Sequence, residues 1–189
     1  MKAGDFAARK PNTRINGLDV ILVHVDSFYN MQYSYYNMGL LYMATILEKE
    51  GYRIRCMGVN DMLWLSREQT ARLFTVTRPS IVGFYTLSDN IYQVQEFASR
   101  IKKLSPRTRI VVGGPLATSL GKKMLDYKDF DMCIVGEGEV PLKKLTDFIV
   151  KSIGSLKDIP GLIYRFNGEI LLNPVDPPIP DLDELPLPN

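Results

Sequence analysis

The chain has 189 residues, of which 46% are apolar and 23% charged, and its formal net charge is +2 at pH 7. These values are typical of one well-packed globular domain and give no reason to expect nucleic acid or a charged membrane surface as a partner. No apolar stretch is long enough to span a bilayer, and residues 1–17 form a polar leader without the apolar core of a secretory signal. Cys56 and Cys133 lie in apolar strand patterns, so we expect buried thiols in a reducing cytoplasm.

The first half of the chain alternates predicted strands with predicted helices. Residues 20–23 are continuously apolar, which predicts a strand over residues 18–25 that is covered on both faces. An aromatic and amide-rich loop follows, and apolar residues at helical spacing then predict a helix that ends at Gly51, a left-handed cap. The predicted elements are, in order, the strand 18–25, the loop 27–36, the helix 37–50, the strand 53–59, the helix 66–75 and the strand 80–85.

The same alternation continues in the second half of the chain. The predicted elements there are the helix 90–104, the strand 109–112, the helix 116–125, the strand 131–135 and the helix 140–152. Parallel neighbouring strands need crossover connections, and these helices supply them. We therefore expect residues 18–153 to form a flavodoxin-like, doubly wound α/β domain with a five-stranded parallel sheet.

The end of the chain follows a different pattern. Asn167-Gly168 lies between two short apolar runs, which predicts a type I′ β-hairpin within an extension over residues 154–173. Residues 174–189 contain too many prolines for a helix or a central strand and are predicted to be an extended linker. A linker in this position indicates a further domain after it, so we expect the sequence to be a fragment.

Two glycine-rich turns follow predicted strands and are the strongest functional signal. Gly113-Gly114-Pro115 follows the strand 109–112, and Gly136-Glu137-Gly138 follows the strand 131–135. Ligands of open α/β sheets bind at the carboxyl ends of the strands, and glycine there lets a ligand approach the backbone. One such turn is explained by an ordinary strand-to-helix connection. Two on the same edge of the sheet predict a ligand site.

Several common catalytic arrangements are missing from the sequence. No Gly-x-Gly-x-x-Gly follows the first strand, and there is no Walker-type lysine loop. Only Asp26 fits the acid pocket of a response regulator. The single histidine, His24, lies within a strand pattern, and with two separated cysteines it cannot complete a zinc site or hold an iron–sulfur cluster. The sequence therefore predicts binding and no catalytic set.

Five segments together resemble a known family. Residues 38–44 and Glu50-Gly51-Tyr52 resemble the "G-L-x-x-L-A … L-x-x-x-G-[YH]" stretch of cobalamin-binding domains at the N-terminus of cobalamin-dependent radical S-adenosylmethionine enzymes. The segments 79–84, 109–115, 136–139 and 181–186 resemble the same family in the same order, so the resemblance covers residues 19–188. It implies cobalamin over the carboxyl edge of the sheet, with its tail between the first, third and fourth strands. It also implies a C-terminal radical S-adenosylmethionine domain of the same polypeptide with a [4Fe-4S] cluster and S-adenosylmethionine, whose three-cysteine motif this chain lacks.

The resemblance also bears on the lower axial ligand of cobalt. Base-off cobalamin domains supply it from the histidine of an Asp-x-His-x-x-Gly motif. Alignment on Gly39 places Tyr36 at the histidine position and Ser34 at the aspartate position. A tyrosine with a pKa of about 10 is a poor ligand, so we expect binding without a histidine lower ligand and with Tyr36 or its neighbours under the corrin. His24 as a replacement is disfavoured, because a lone histidine in an apolar strand is usually structural.

Two further departures concern the nucleotide tail. The Ser-x-Leu signature after the third strand is present as Tyr85-Thr86-Leu87, so a bulky ring that narrows the pocket replaces the serine. Thr86 and Ser88 offer hydroxyls nearby. Gly113 and Gly114 match paired glycines that let the tail lie against backbone, whereas Glu137 and Glu139 are either solvated acids at a helix N-terminus or part of an interface. The candidate cofactor-binding residues are Ser34, Tyr36, Gly39, Tyr85, Thr86, Leu87, Ser88, Gly113, Gly114, Pro115, Gly136, Glu137 and Gly138.

The resemblance leaves the reaction open. Family members include methyltransferases and the anaerobic oxidative cyclase of magnesium-protoporphyrin monomethyl ester. The competing hypothesis is a degenerate, cofactor-free docking or regulatory module of the same fold, which the lost histidine and serine favour and the retained glycine turns oppose. A flavodoxin-like nucleotide binder is disfavoured, because no hydroxyl-rich phosphate loop follows the first strand.

Overall fold

The computed structural model describes residues 17–25, 37–58, 67–177 and 186–187. The leader, the aromatic loop with Ser34 and Tyr36, and most of the proline-rich end lie outside the described residues, so the statements made about them above stay predictions. Within the described ranges, no helix is both long enough and apolar enough to cross a membrane.

One mixed sheet forms the centre of the domain. Its strands are β1 (Val20–His24), β2 (Ile54–Gly58), β3 (Ile81–Tyr85), β4 (Arg109–Gly113), β5 (Met132–Ile134), β6 (Leu162–Phe166) and β7 (Glu169–Leu172). The spatial order is β2-β1-β3-β4-β5-β6-β7. The first five strands are parallel, whereas β6 pairs antiparallel with β5 and β7 antiparallel with β6. The order 2-1-3-4-5 is that of flavodoxin-like folds, which confirms the predicted fold class.

Five α-helices of the described residues connect and cover the strands. They are α1 (Met38–Lys49), α2 (Arg67–Thr77), α3 (Ile91–Leu104), α4 (Pro115–Leu120) and α5 (Glu139–Thr146). The predicted helix 116–125 changes at Gly121 into a 3₁₀ turn over Gly121–Asp126, because Gly121 adopts a positive φ of 54° that an α-helix does not allow. The predicted helix 140–152 ends in a π turn over Asp147–Lys151. A short 3₁₀ turn, Leu156–Asp158, precedes β6.

The core lies in two layers, one on each face of the sheet. Leu22 of β1 packs with α1 and α5, through residues such as Leu40 and Leu142. Ile21, the preceding residue, packs on the opposite face with α2, α3 and α4, for example against Val94. Alternation within one strand thus supplies both layers, and the first four residues of β1, Val20 to Val23, are all apolar because both faces of the strand are buried there.

The C-terminal hairpin continues the sheet and returns the chain to the carboxyl edge of the parallel strands. Asn167 and Gly168 have φ values of 50° and 88°, as the predicted type I′ turn requires. After β7, residues 173–177 form a segment that we call the C-terminal strap. Asn173 Nδ2 donates to the carbonyl oxygens of Leu156 and Ile159, at 2.6 and 2.8 Å. The strap is therefore tied down at the carboxyl edge, the edge at which the parallel strands end.

Candidate functional site

A cavity of about 530 Å³ opens at the carboxyl edge between α1 and α5. Leu22, Gly83 and Val111 form its floor on three neighbouring strands, and Met43 of α1 and Leu142 of α5 form its walls. Most of this lining is apolar. The volume lies within the range of small-molecule sites, which are typically apolar with a few polar groups. This is the position at which the fold places ligands.

The structure brings most of the predicted site residues together at this cavity. Those that line it are Gly39, Tyr85, Gly113, Gly114, Pro115, Gly136, Glu137 and Gly138. Thr86, Leu87 and Ser88 are not among the lining residues, and a contact between them and a cofactor stays a prediction.

The two glycines at the end of β4, Gly113 and Gly114, are glycine for different reasons. Gly114 has φ of 100°, and a Cβ there would lie 2.9 Å from Tyr85 Cδ2 and 3.0 Å from the Thr86 carbonyl oxygen. The protein's own packing therefore demands glycine at position 114. A Cβ on Gly113 would lie 3.8 Å from the nearest atom, the Ile134 carbonyl oxygen, so packing does not demand glycine there. The missing side chain at Gly113 leaves free space at the cavity wall.

Thr86 holds the Gly113–Gly114 turn in place. Its side chain is fully buried, and its Oγ1 donates to the Gly113 carbonyl oxygen at 2.8 Å. Its backbone N–H donates to the same oxygen at 2.8 Å. The Thr86 hydroxyl, which the sequence analysis considered as a ligand contact, therefore donates its hydrogen bond within the protein and positions the glycine turn.

Asn90 joins the carboxyl ends of β1 and β3. Its buried Nδ2 donates to the carbonyl oxygens of Val25 and Tyr85, at 2.8 and 3.2 Å, and its Oδ1 accepts from Leu87 N–H at 2.9 Å. An asparagine before a helix is typical of an N-cap, but this side chain makes no cap hydrogen bond. Sequence reasoning missed this clamp, because its partners lie far apart along the chain.

Tyr85 forms an aromatic wall of the cavity beside the Gly114 turn. Its ring lies 5.9 Å from the ring of His24, at an angle of 45°. His24 itself does not line the cavity. The part of the chain that the structure describes therefore contributes no imidazole to the cavity lining.

The charged groups at the cavity are acidic. Glu137 is exposed at the rim, whereas Glu139 is partly buried and begins α5. No lysine or arginine lines the cavity among the described residues. Clusters of three or more histidine, cysteine or acidic residues that could hold a metal ion are likewise absent from these ranges.

The two cysteines are poor candidates for metal ligands. Burial raises the pKa of Cys56 to about 11, with a further contribution from the charge of Glu48. Burial alone raises the pKa of Cys133 to about 12. Since the thiolate is the form that binds metals and attacks electrophiles, both thiols are inert at neutral pH. Cys133 is buried, as predicted, whereas Cys56 is only partly buried.

The floor of the cavity was not predicted, although one signal for it exists in the sequence. Gly83 interrupts the apolar run of β3, and an isolated glycine inside a strand often marks a close approach. A Cβ at Gly83 would lie 2.8 Å from Leu22 Cδ2. The glycine therefore lets the Leu22 side chain lie across the floor. Val111 gives no comparable signal, because its role follows only from the sheet order.

The fold and the cavity define an α/β domain that binds a ligand at the carboxyl edge of a flavodoxin-like sheet. The sequence matches the B12 binding domain over residues 28–146. The chain belongs to this family of B12-binding domains, as the resemblance in the sequence had indicated.

Curated relatives include methyltransferases and a cyclase. The chain is 30% identical over 153 residues to an uncharacterized methyltransferase of Pyrococcus horikoshii, covering 80% of this chain and 33% of that protein. It is 27% identical over 152 residues to the anaerobic magnesium-protoporphyrin IX monomethyl ester cyclase of Rubrivivax gelatinosus, covering 76% of this chain and 27% of that protein. The chain thus spans a third or less of the length of these relatives.

Solved structures that share the fold include two radical S-adenosylmethionine enzymes. One is the cobalamin-dependent S-adenosylmethionine radical enzyme OxsB with aqua-cobalamin and S-adenosylmethionine bound, with a TM-score of 0.71 over 90% of this chain and 24% of that chain. The other is the radical S-adenosylmethionine methyltransferase TsrM of Kitasatospora setae with cobalamin and a [4Fe-4S] cluster bound, with a TM-score of 0.70 over 85% of this chain and 32% of that chain. Both are 18% identical to this chain, so the likeness concerns the fold.

Proposed function

We propose that this chain binds cobalamin at its carboxyl-edge cavity and is the cobalamin-binding part of a radical S-adenosylmethionine enzyme. The observation that carries the proposal is the open cavity over Gly83 and Gly113, in a chain of the B12-binding family. Bound cobalamin would supply a cobalt centre that can carry a methyl group. The residues of this chain bind and orient the cofactor.

The shape of the site fits a cofactor with a flat plate and a narrow tail. The cavity between α1 and α5 is mostly apolar, which suits the aromatic base of the tail, and Gly113 leaves room beside it. Met38 and Val140 lie at the starts of α1 and α5, where they are 54% and 40% exposed. Exposed apolar side chains beside a cavity are typical of a surface that a ligand or partner covers. The corrin ring would lie on this rim.

The cofactor is proposed to bind without a histidine lower ligand from this chain. His24 is the only histidine in the sequence, and it does not line the cavity. Its ring is packed near Tyr85. The lower face would therefore be covered by apolar and aromatic side chains, with Tyr36 and its neighbours as the predicted contribution from the loop.

A C-terminal radical S-adenosylmethionine domain of the same polypeptide is the proposed partner. This chain covers only 33% and 27% of the Pyrococcus and Rubrivivax relatives, and the C-terminal strap lies at the carboxyl edge. Val175 of the strap lies against the Gly136 turn, since a Cβ on Gly136 would lie 3.1 Å from Val175 Cγ1. Residues 173–177 thus pass beside the cavity. The proposed domain would bring the [4Fe-4S] cluster and S-adenosylmethionine to the cofactor.

The reaction of the whole protein is proposed to be methyl transfer or oxidative cyclisation of a tetrapyrrole. Relatives of both kinds match this chain at similar identity, and the described residues hold no catalytic set that separates them. The alternative of a cofactor-free docking module predicts a cavity filled by side chains, and the open cavity opposes it.

We also infer a cytoplasmic location, because both cysteines are unpaired thiols.

The test is co-elution with a corrin. The chain is incubated with hydroxocobalamin and separated by gel filtration, and the visible spectrum of the protein peak is recorded. We expect about one corrin per chain, and a loss of corrin in Gly113→Val, which fills the free space at the cavity wall. Gly58→Val is the matched control, because Gly58 also ends a parallel strand but does not line the cavity. Wild-type protein without corrin, even with the C-terminal domain restored, would favour the docking module.

A further inference from the structure

Glu139 has an unsatisfied oxygen beside the cofactor cavity. It is the first residue of α5 and lines the cavity. Its Oε2 is buried and has no hydrogen-bond partner among the residues that the structure describes. Glu137, two residues earlier, is exposed to solvent, so its carboxylate oxygens are accessible to water.

A buried acceptor without a donor is unfavourable, because it has lost its hydrogen bonds to water and gained none in return. Folded proteins seldom keep such groups without a reason, and a functional site is a common one. The terminal torsion of a glutamate is broad, so the carboxylate can turn its unpaired oxygen towards a donor in the cavity at little cost. The cavity lining supplies no lysine or arginine to pair with it in the described ranges.

The backbone around Glu139 is held in place on both sides. Before it, the Gly136 N–H donates to Thr118 Oγ1 at 3.1 Å. After it, the Leu142 N–H donates to the Gly138 carbonyl oxygen at 2.9 Å and closes the first turn of α5. A Cβ on Gly138 would lie 2.8 Å from Met43 Sδ, so glycine there lets α1 and α5 approach each other. The carboxylate is thus presented to the cavity from a fixed position, at a helix end that favours negative charge.

We propose that Glu139 accepts a hydrogen bond from a neutral donor of the bound ligand, either a hydroxyl or an amide N–H, and is a specificity-determining residue of this site. The proposal rests on the proposed function. Cobalamin carries both kinds of donor, namely amides around the corrin and a ribose hydroxyl in the nucleotide tail. Glu139 would then help to select a ligand rich in such donors over an apolar one.

The experiment compares two ligands and three variants of the full chain. Hydroxocobalamin and cobinamide, which lacks the nucleotide tail, are titrated against the protein. Bound and free corrin are separated by ultrafiltration and quantified by visible absorption. The variants are Glu139→Ala, Glu139→Gln and the matched control Glu169→Gln, an exposed glutamate of β7 that does not line the cavity. Hydrogen bonds to charged groups contribute enough that we expect Glu139→Ala to weaken hydroxocobalamin binding about tenfold. Glu139→Gln should have a smaller effect, and Glu169→Gln none.

The two ligands locate the donor. If the donor is the ribose hydroxyl, Glu139→Ala leaves cobinamide binding unchanged; if it is a corrin amide, the affinity for both ligands falls equally. Thermal unfolding without ligand separates binding from folding. We expect Glu139→Ala to change the ligand-free stability little, because removal of an unpaired acceptor and loss of a negative charge at the helix N-terminus act in opposite directions. Unchanged affinity for both ligands, or an affinity loss matched by an equal loss of ligand-free stability, would overturn the proposal. Wild-type protein that binds neither corrin would instead overturn the proposed function.

Discussion

Asn90 donates a hydrogen bond from Nδ2 to the carbonyl oxygen of Val25, 2.8 Å away and 65 positions earlier in the sequence. The same amide donates to the Tyr85 carbonyl oxygen at 3.2 Å. It thereby joins the carboxyl ends of β1 and β3. These two neighbouring strands are the point from which the strand order runs in opposite directions, to β2 on one side and to β4 on the other. Ligands of this fold class bind at that crevice, so Asn90 fixes the geometry of the ligand edge without touching the cavity.

Replacement of Asn90 should destabilise the domain. Asn90→Ala leaves two carbonyl oxygens and the Leu87 N–H without this partner, and we expect a loss of about 2 kcal/mol in the free energy of unfolding. Urea unfolding of the ligand-free chain measures it. Asp89→Ala, at the exposed neighbouring position, is the control and should change stability by less than about 0.5 kcal/mol. Equal stabilities of the two variants would contradict the role given to Asn90.

The paired glycines after β4 should respond differently to alanine. Gly114→Ala must adopt a left-handed backbone and place its Cβ against Tyr85 and Thr86, so we expect a loss of about 2 kcal/mol or more. Gly113→Ala meets no close atom, and its stability should stay within about 1 kcal/mol of wild type. Chemical unfolding of both variants provides the comparison. The packing account would be wrong if Gly113→Ala proved the more destabilised of the two.

Much of the fold could be predicted because its signals are local. Apolar runs marked the parallel strands, two of them followed by glycine turns, and Asn167-Gly168 marked the hairpin turn, which has the two positive φ values that a type I′ turn needs. The strand next to which the hairpin lies could not be predicted. The sequence pattern of the hairpin is compatible with either edge of the sheet, and only packing in the folded domain places β6 beside β5.

The site was predictable in part for the same reason. The glycine turns are local features, and the structure places both of them at the cavity. The floor formed by Leu22, Gly83 and Val111 depends on which strands are neighbours, and that is a property of the assembled sheet. The unpaired oxygen of Glu139 depends on a shortage of donors around it, which no sequence pattern encodes.

Tyr52, Lys143 and Asp147 form a hydrogen-bonded cluster at the edge of the sheet opposite the cavity. This cluster should make the free energy of unfolding depend on pH in the acid range. Burial raises the pKa of Tyr52, and the hydrogen bond from its hydroxyl to Asp147 raises it further. Burial acts to raise the pKa of Asp147, but the hydrogen bonds from Tyr52 and Lys143 outweigh it, and the pKa is lowered overall. The stability from Asp147 is therefore present above the unfolded pKa of about 4 and is lost as the pH falls through the lower folded value.

Urea unfolding at pH 7 and at pH 3 tests this linkage. Tyr52→Phe should lose about 1 kcal/mol at pH 7, because Asp147 then lacks one donor. Asp147→Asn should be less stable than wild type at pH 7, and the difference should shrink at pH 3. If the difference between Asp147→Asn and wild type were the same at both pH values, Asp147 would not be the group that titrates.

The absence of a histidine lower ligand can be tested by isotope labelling. Cobalamin bound to the chain is reduced to the cobalt(II) state, and its electron paramagnetic resonance spectrum is recorded for protein grown with ¹⁴N- or ¹⁵N-histidine. We expect identical spectra, because His24, the only histidine, does not line the cavity. A change in the nitrogen splitting on labelling would show that His24 ligates cobalt.

A structure of the chain determined with hydroxocobalamin is the most direct test of where the cofactor binds. The account predicts the nucleotide tail between α1 and α5, above Gly83 and beside Gly113, with the corrin on the rim near Met38 and Val140. Cobalamin bound at another surface, or a cavity filled by the protein's own side chains while the corrin lies elsewhere, would contradict it.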